Sequence, residues 1–295
     1  MKLIDIKCKR CGSILKIDSN SKTVKCEYCK AQYMIDDETV KVKLNDMENS
    51  GYEFEKGRIR AKEEHKNYKK SNSKIKFLLV ILLYILYQSN FLIALVSETG
   101  LKLTTLPRWI RMIILVLNDL IYVFIVLYMF RKEIKKGLKE VKKDFPRLAT
   151  LSLNCWIIGS LIMTTSSIII SYITKQNTSA NEELVRQSIK MAPLYMLFTC
   201  SIVAPVLEEM TFRRALRGLI NNKWVFILVS GLGFGLLHVI GSGFKSPLDF
   251  LYVIPYGSMG CTFAYLLTKT NNITLPIMVH MLHNTILVLI QILRR

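Results

Sequence analysis

Long apolar runs decide what this chain can fold into. A helix needs about 20 mostly apolar residues to cross the hydrocarbon core of a bilayer. The chain has 295 residues, of which 51% are hydrophobic, yet its formal net charge is +19. Apolar spans joined by basic loops explain both numbers. We therefore predict an all-α polytopic membrane protein with about seven transmembrane helices. Their approximate bounds are 75–96, 110–130, 148–173, 191–207 (continuing amphipathically to about 220), 224–240, 249–268 and 274–292.

The basic loops predict the orientation of these spans. Residues 131–147 hold eight Lys or Arg against three acidic residues, with apolar residues at helical spacing. This pattern predicts an interfacial amphipathic helix on the cytosolic side of the plasma membrane. The loop 213–223 falls on the same side, and so does the N-terminal region, which lies two spans earlier. Seven spans put the C-terminus outside. Arg294 and Arg295 fit less well there, which leaves a miscounted or re-entrant segment open.

Four of the seven cysteines form two CxxC pairs near the N-terminus, Cys8/Cys11 and Cys26/Cys29, separated by fourteen residues. Four thiolates at this spacing can close a tetrahedral zinc site. The runs SILKI and KTVKC flank the turn-like DSNS, which predicts a small β-hairpin between the pairs. A disulfide is disfavoured in a reducing cytosol, and iron bound by the same thiolates is a further alternative. We predict a structural zinc, and the segment resembles zinc ribbons found at the N-termini of bacterial membrane proteins.

Composition divides the chain into four predicted segments. The charged linker ends in a basic stretch that favours anionic lipid headgroups, so membrane lipids are expected partners. The ribbon could dock a protein partner. Nucleic acid is not expected, because no aromatic platform is interleaved with the basic residues. The segments are a zinc ribbon at 1–35, a charged linker at 36–74, two transmembrane helices plus the amphipathic helix at 75–147, and the main membrane core at 148–295.

Two adjacent carboxylates stand at the end of the fourth apolar run. Glu208 and Glu209 point about 100° apart on a helix, so they cannot face one partner. Glu209 is four residues before Arg213, which predicts an ion pair. Glu208 has no such partner on its own helix. Intramembrane ionisable residues indicate a functional site, although both acids could also be ordinary interfacial charges.

Later spans supply polar groups that could meet Glu208. His238 and Glu208 lie at similar distances from the turn near Asn221, so an antiparallel helix pair brings them to similar depth. In the last span, His280 and Asn284 are four apart and share a face. An Asn in an apolar helix needs a hydrogen-bond partner, which places it toward the bundle interior.

Three motifs carry a family resemblance. EEMTFR, FGLLH and HMLHN resemble, in order, the EExxxR, FxxxH and HxxxN motifs of the CPBP family. That family comprises type II CAAX prenyl endopeptidases and bacteriocin-processing or immunity-related membrane proteases. The resemblance covers roughly residues 150–292. One departure is Arg214, where the family often carries Gly, and it could alter packing at a cytosolic mouth.

The resemblance implies an intramembrane endopeptidase that cleaves a peptide or protein substrate without a catalytic metal. Glu208 would be the general base and His238 would polarise the same water. His280 and Asn284 would stabilise the oxyanion. Glu209 and Arg213 would orient the site.

Two other functions fit the same residues. Glu208, His238 and His280 could bind a catalytic zinc, although the sequence has no HExxH motif. Alternatively, the chain could be a non-enzymatic membrane scaffold of the immunity type that binds a peptide or lipid. The substrate also stays open between a prenylated CAAX protein and a bacterial peptide.

Overall fold

The computed structural model describes residues 6–15, 23–34, 56–57, 73–98, 100, 103–176, 178–243 and 246–294. These residues form two compact units, Met1–Lys70 and Ser71–Arg295. Most of the predicted linker 36–74 lies outside the described residues.

The N-terminal unit contains four short strands in two antiparallel pairs. Strand β1 (Ile6–Lys7) pairs with β2 (Ile14–Leu15), and β3 (Thr23–Lys25) pairs with β4 (Gln32–Met34). The prediction that SILKI and KTVKC form one hairpin is therefore wrong, because β2 and β3 belong to different pairs. Each CxxC pair makes its own turn instead, closed by a backbone bond from Gly12 N to Cys8 O and another from Lys30 N to Cys26 O. The DSNS turn lies outside the described residues.

The C-terminal unit is a bundle of helices. Among the described residues six helices are long and apolar enough to span a membrane, or seven if α1 and α2, bent by 56°, form one broken span. This confirms the predicted membrane fold. The helices are α1 (Ser73–Gln88), α2 (Phe91–Glu98), α3 (Arg108–Lys143), α4 (Phe145–Thr174), α5 (Ala180–Met191), α6 (Pro193–Leu219), α7 (Lys223–Gly241), α8 (Val253–Thr270) and α9 (Thr274–Leu293). Short 3₁₀ turns occupy Leu103–Thr105 and Pro247–Tyr252.

The basic segment 131–147 is not the separate interfacial helix that the sequence predicts. Helix α3 continues into it without a break as far as Lys143 and is 36 residues long, which is about 54 Å at 1.5 Å per residue. That length exceeds the ~30 Å hydrocarbon core of a bilayer, so the basic part extends beyond it. The helix ends at Lys143, and the chain turns at Asp144 before α4 begins. Pro146 lies in the first turn of α4, which is the place where a helix tolerates proline best.

Helix α6 is locally underwound in two places that surround the glutamates. The segments Thr199–Val203 and Glu209–Ala215 are π-helical. Widened turns leave some backbone carbonyls free for other partners. One of them, Phe212 O, accepts a 2.7 Å hydrogen bond from the buried Ser230 of α7. Asn222 caps the start of α7 through its side chain, which fixes the tight turn between α6 and α7.

Helices α7 and α8 pack backbone to backbone. A Cβ added at Gly235 would lie 2.6 Å from the Val253 carbonyl oxygen, and one at Gly260 would lie 2.8 Å from Gly231 Cα. Only glycine permits such an approach at these positions, as is usual where membrane helices meet closely. This contact sets the position of the C-terminal half of α7, which carries His238.

Candidate active site

Glu209 forms the predicted ion pair with Arg213 in the centre of the bundle. Glu209 Oε1 lies 3.0 Å from Arg213 Nη1, and both side chains are fully buried. Arg213 Nη2 also donates to the Gly260 carbonyl of α8 at 3.3 Å. An isolated buried charge is very costly, so each of these groups requires the other.

The same Glu209 oxygen also binds His280 of α9. His280 Nδ1 lies 2.8 Å from Glu209 Oε1. A carboxylate can only accept, so Nδ1 carries the proton and donates it. This bond leaves His280 Nε2 facing Glu208, whose Oε2 is 3.7 Å away. His280 is therefore held between the two adjacent glutamates, and Phe263 stacks on its ring at 4.7 Å.

His238 is oriented by its own helix. Its Nδ1 lies 2.9 Å from the Phe234 carbonyl oxygen, one turn earlier, so Nδ1 carries the proton here too. The ring is stacked on Tyr256 at 4.8 Å and tilted against Phe234 at 4.4 Å. These contacts leave Nε2 as the free nitrogen, and His238 lines the same cavity as Glu208.

Asn284 is held by the backbone of α6. Its Nδ2 donates to the Cys200 carbonyl at 2.9 Å. In the π-helical turn, Ala204 N bonds to Thr199 O, and the corresponding partner of Cys200 O would be the N–H of Pro205. Proline has no N–H, which leaves this carbonyl free for Asn284. An amide nitrogen has two hydrogens, so one donor of Asn284 is available for another acceptor.

These side chains share one cavity of about 750 Å³. Glu208, His238, His280 and Asn284 line it, whereas Glu209 and Arg213 do not and lie behind the wall. The structure thus brings together the four residues predicted for the chemistry. Of the two supporting residues, Glu209 binds His280 and Arg213 binds Glu209. Such a volume is typical of small-ligand and peptide side-chain pockets.

Two neighbours of the site were missed in the sequence. Asp119 of α3 is buried and accepts hydrogen bonds from Tyr195 at 3.1 Å and Thr199 at 2.9 Å, next to Cys200. An acid within an apolar run is a signal that could have identified it. Tyr84 of α1 is buried close enough to Glu208 to interact with its charge. No pattern in the sequence distinguishes this tyrosine from the other tyrosines of the spans.

The four N-terminal cysteines form a separate cluster in the N-terminal unit. All four sulfurs lie within 4.8 Å of one another. Cys8 and Cys29 are 3.5 Å apart, and Cys11 and Cys26 are 3.6 Å apart. Four sulfurs at 2.3 Å from one zinc would be about 3.8 Å apart, so the cluster can hold a metal ion of this kind. The Tyr33 hydroxyl, 3.2 Å from Cys8, lowers the pKa of that thiol to about 6, which favours the thiolate that binds metals.

Comparison with known proteins shows a family to which part of the chain is similar. Residues 190–286 match the family model described as type II CAAX prenyl endopeptidase, Rce1-like. Over these residues, about a third of its length, the chain is similar to this family of membrane proteases. The six site residues predicted from the three motifs lie inside the matched range, and the resemblance predicted from the motifs is confirmed. Asp119 and Tyr84 lie outside it.

Two bacterial relatives agree with the family. YdiL of Bacillus subtilis (strain 168), assigned as a membrane peptidase, is 34% identical over 117 residues, which cover 39% of this chain and 44% of YdiL. MroQ of Staphylococcus aureus (strain USA300), a membrane-embedded CAAX protease, is 28% identical over 232 residues, which cover 73% of this chain and 89% of MroQ. No solved structure matches the chain.

Proposed function

We propose that this protein is an intramembrane endopeptidase in which Glu208 activates water for attack on a peptide bond. The observation that carries the proposal is the position of His280. It is held by Glu209 on one side, faces Glu208 on the other, and lies at the wall of a cavity inside the bundle. This is the geometry of a nucleophile activator beside an oriented imidazole.

In the proposed reaction, Glu208 takes a proton from water as the oxygen attacks the substrate carbonyl carbon. His238 Nε2 orients that water. The free N–H of Asn284 and a protonated His280 hold the oxyanion that forms. The C–N bond then breaks as Glu208 returns the proton to the leaving amine, and Glu208 is ready for the next water.

Charge balance supports a protonated His280. The buried cluster holds two carboxylates, Glu208 and Glu209, but only one permanent cation, Arg213. One more proton makes the cluster neutral, which a low-dielectric site favours. On His280 that proton lies on Nε2, between Glu208 and the cavity, where an oxyanion would form.

The zinc-dependent alternative needs Glu208, His238 and His280 to converge on one ion. In the part of the chain that the structure describes, the four cysteines are the one group of three or more His, Cys, Asp or Glu side chains placed to hold a metal ion. This favours the glutamate mechanism. Metal analysis of a chain lacking residues 1–35 tests it, and one bound zinc per such chain would contradict it.

For the N-terminal unit we propose a structural zinc bound by Cys8, Cys11, Cys26 and Cys29, in a ribbon on the cytosolic side of the plasma membrane. The observation that supports zinc is the approach of the four sulfurs. A segment this small buries little core, so the metal would supply much of its folding free energy. Its partner would be a protein or the lipid surface.

Comparison of membrane-protein N-termini in cells carrying the wild type and Glu208→Gln tests the proposed reaction. We expect uncleaved precursors to accumulate in the variant and in His280→Ala, since losing one oxyanion donor typically lowers the rate by about 10²–10³. Glu183→Gln is the control, because the Glu183 side chain is exposed on α5 and accepts a hydrogen bond from Gln187 of its own helix. Normal processing by both site variants, with protein levels unchanged, would favour a non-enzymatic binding role.

A further inference from the structure

The active-site cavity occupies one half of the helix bundle. The segments that connect the helices define two ends of the bundle, which we name the basic end and the opposite end. The basic end comprises 131–147, 213–223 and 269–273, and the opposite end comprises 99–107, 175–192 and 242–252. Contacts within each end support the division. Asn272 donates to the Gly137 carbonyl at the basic end, and Ser179 bonds the Tyr256 hydroxyl at 2.7 Å at the opposite end.

The cavity lining runs from the active site to the opposite end. Helix α4 contributes residues from Met163 to Ser171, in its C-terminal half, and α7 contributes Phe234 and His238, also in its C-terminal half. Helix α9 contributes residues from His280 to Ile290, together with Gln291 and the adjoining Arg294. Among the described residues, the lining includes none from the basic end. Glu208 lies eleven residues before Leu219, where α6 ends, which is about 16 Å along the helix axis.

The mouth and the floor of the cavity differ in chemistry. Polar, half-exposed side chains surround the mouth, where Glu182 binds Arg186 at 2.9 Å and Gln291 at 3.1 Å. Between Glu208 and the end of α6 at the basic end lie fully buried side chains that do not line the cavity, among them Met210 and Arg213. Water and a polypeptide can therefore reach Glu208 from the opposite end, while packed protein separates it from the basic end.

The charge of the connecting segments orients the two ends. Residues 131–147 alone carry eight Lys or Arg, whereas 99–107 carry one, 175–192 carry three and 242–252 carry one. Short loops rich in Lys and Arg stay in the cytosol. The basic end is then cytosolic and the cavity mouth extracytoplasmic. This orientation differs from the sequence-based expectation of a cytosolic mouth beside Arg214. That arginine instead pairs with Glu133 of α3.

We propose that the active site opens on the extracytoplasmic side of the membrane, and that its substrate is a polypeptide segment presented there. This inference rests on the proposed peptidase function in one respect, because it takes the cavity as the place where the peptide bond is cleaved. The substrate class is an exported peptide or the outward-facing part of a membrane-anchored chain. The C-terminus of a cytosolic protein does not meet this site.

Cysteine labelling in intact cells tests the orientation without reference to activity. Gln291→Cys puts a thiol at the mouth, and Asn221→Cys puts one on the exposed turn at the basic end. With a membrane-impermeant maleimide, we expect Gln291→Cys to react in intact cells and Asn221→Cys only after permeabilisation. The wild type gives the background from its seven native cysteines. Lys175→Cys, exposed at the opposite end, replaces Gln291→Cys if the latter does not fold. The reverse labelling pattern overturns the proposal.

Precursor location separates the two proposals. In cells with the wall removed, an external protease should digest the precursors that accumulate with Glu208→Gln. Precursors whose cleavage sites are protected from that protease would overturn the outward opening and leave the peptidase function standing. Outward labelling of Gln291→Cys with no precursor accumulation would do the opposite, since the orientation would hold and the peptidase function would fail.

Discussion

The buried pair Glu209–Arg213 gives the sharpest test of how the site is held together. The two atoms are 3.0 Å apart and both side chains are fully buried. Coulomb's law with an effective dielectric constant of about 20 gives an attraction of about 5.5 kcal/mol at that distance. Glu209→Gln keeps the shape and removes the charge, which leaves Arg213 buried with the Gly260 carbonyl as its remaining hydrogen-bond acceptor. We expect a loss of about 3–5 kcal/mol in the free energy of unfolding, the usual cost of breaking a buried pair.

The chain provides a matched control for this measurement. Glu182 and Arg186 on α5 form an ion pair with the same four-residue spacing, but their side chains are 36% and 38% exposed. Glu182→Gln should therefore cost at most about 1 kcal/mol, as exposed pairs do. Unfolding by SDS in mixed detergent micelles, followed by circular dichroism, gives both free energies on one scale.

A double variant separates lost attraction from stranded charge. Glu209→Gln with Arg213→Met removes both charges, so it should be more stable than Glu209→Gln alone. The reasoning is refuted if Glu209→Gln is no less stable than Glu182→Gln, or if the two changes at the buried pair simply add.

Three further outcomes follow from the contacts. Gly235→Ala should lower both stability and activity, because the added Cβ would clash with a carbonyl oxygen of α8. Gly241→Ala is the control and should change neither, because the space around its Cβ is open. Thermal unfolding measures the stability and precursor processing measures the activity. Cys26→Ser should reduce bound zinc, measured by native mass spectrometry, and expose the N-terminal unit to limited proteolysis, whereas unchanged zinc content would contradict the four-sulfur site. Asp119→Ala should lower the turnover rate with little change in KM. Asp119→Asn should keep much of the wild-type turnover rate, because an amide oxygen can still accept the hydrogen bond from Tyr195. An equal loss of turnover rate in both variants would point to a requirement for the charge.

The membrane fold could be predicted because bilayer thickness translates directly into run length. The runs at 110–130 and 274–292 needed no tertiary information, and neither did the two CxxC pairs. The extension of α3 as far as Lys143 was missed for a physical reason. Apolar residues at helical spacing predict a helix, but they do not say whether it continues the preceding span or begins anew. Here nothing interrupts α3 until the proline at the start of α4.

Part of the candidate site was also readable from the chain. A spacing of four residues on a helix predicts a contact, and Glu209 with Arg213 is one. The bond between Glu209 and His280, by contrast, joins residues 71 positions apart. Asp119 likewise meets Tyr195 and Thr199 across two helices. Spacing carries no information about such contacts, because they depend on how the helices pack.

The sequence by itself determined the chemistry that was available: a membrane bundle, four thiolates, and three spans with an acid, an imidazole and an amide inside them. These follow from local rules of hydropathy, helical periodicity and ligand type. Only the tertiary structure decided that Glu208 faces the cavity while Glu209 holds His280 from behind. It also decided that Pro205 leaves a carbonyl for Asn284, and that the cavity opens away from the basic loops. Each of these depends on the rotation and approach of neighbouring helices, which glycine contacts and buried hydrogen bonds fix only when the bundle is assembled.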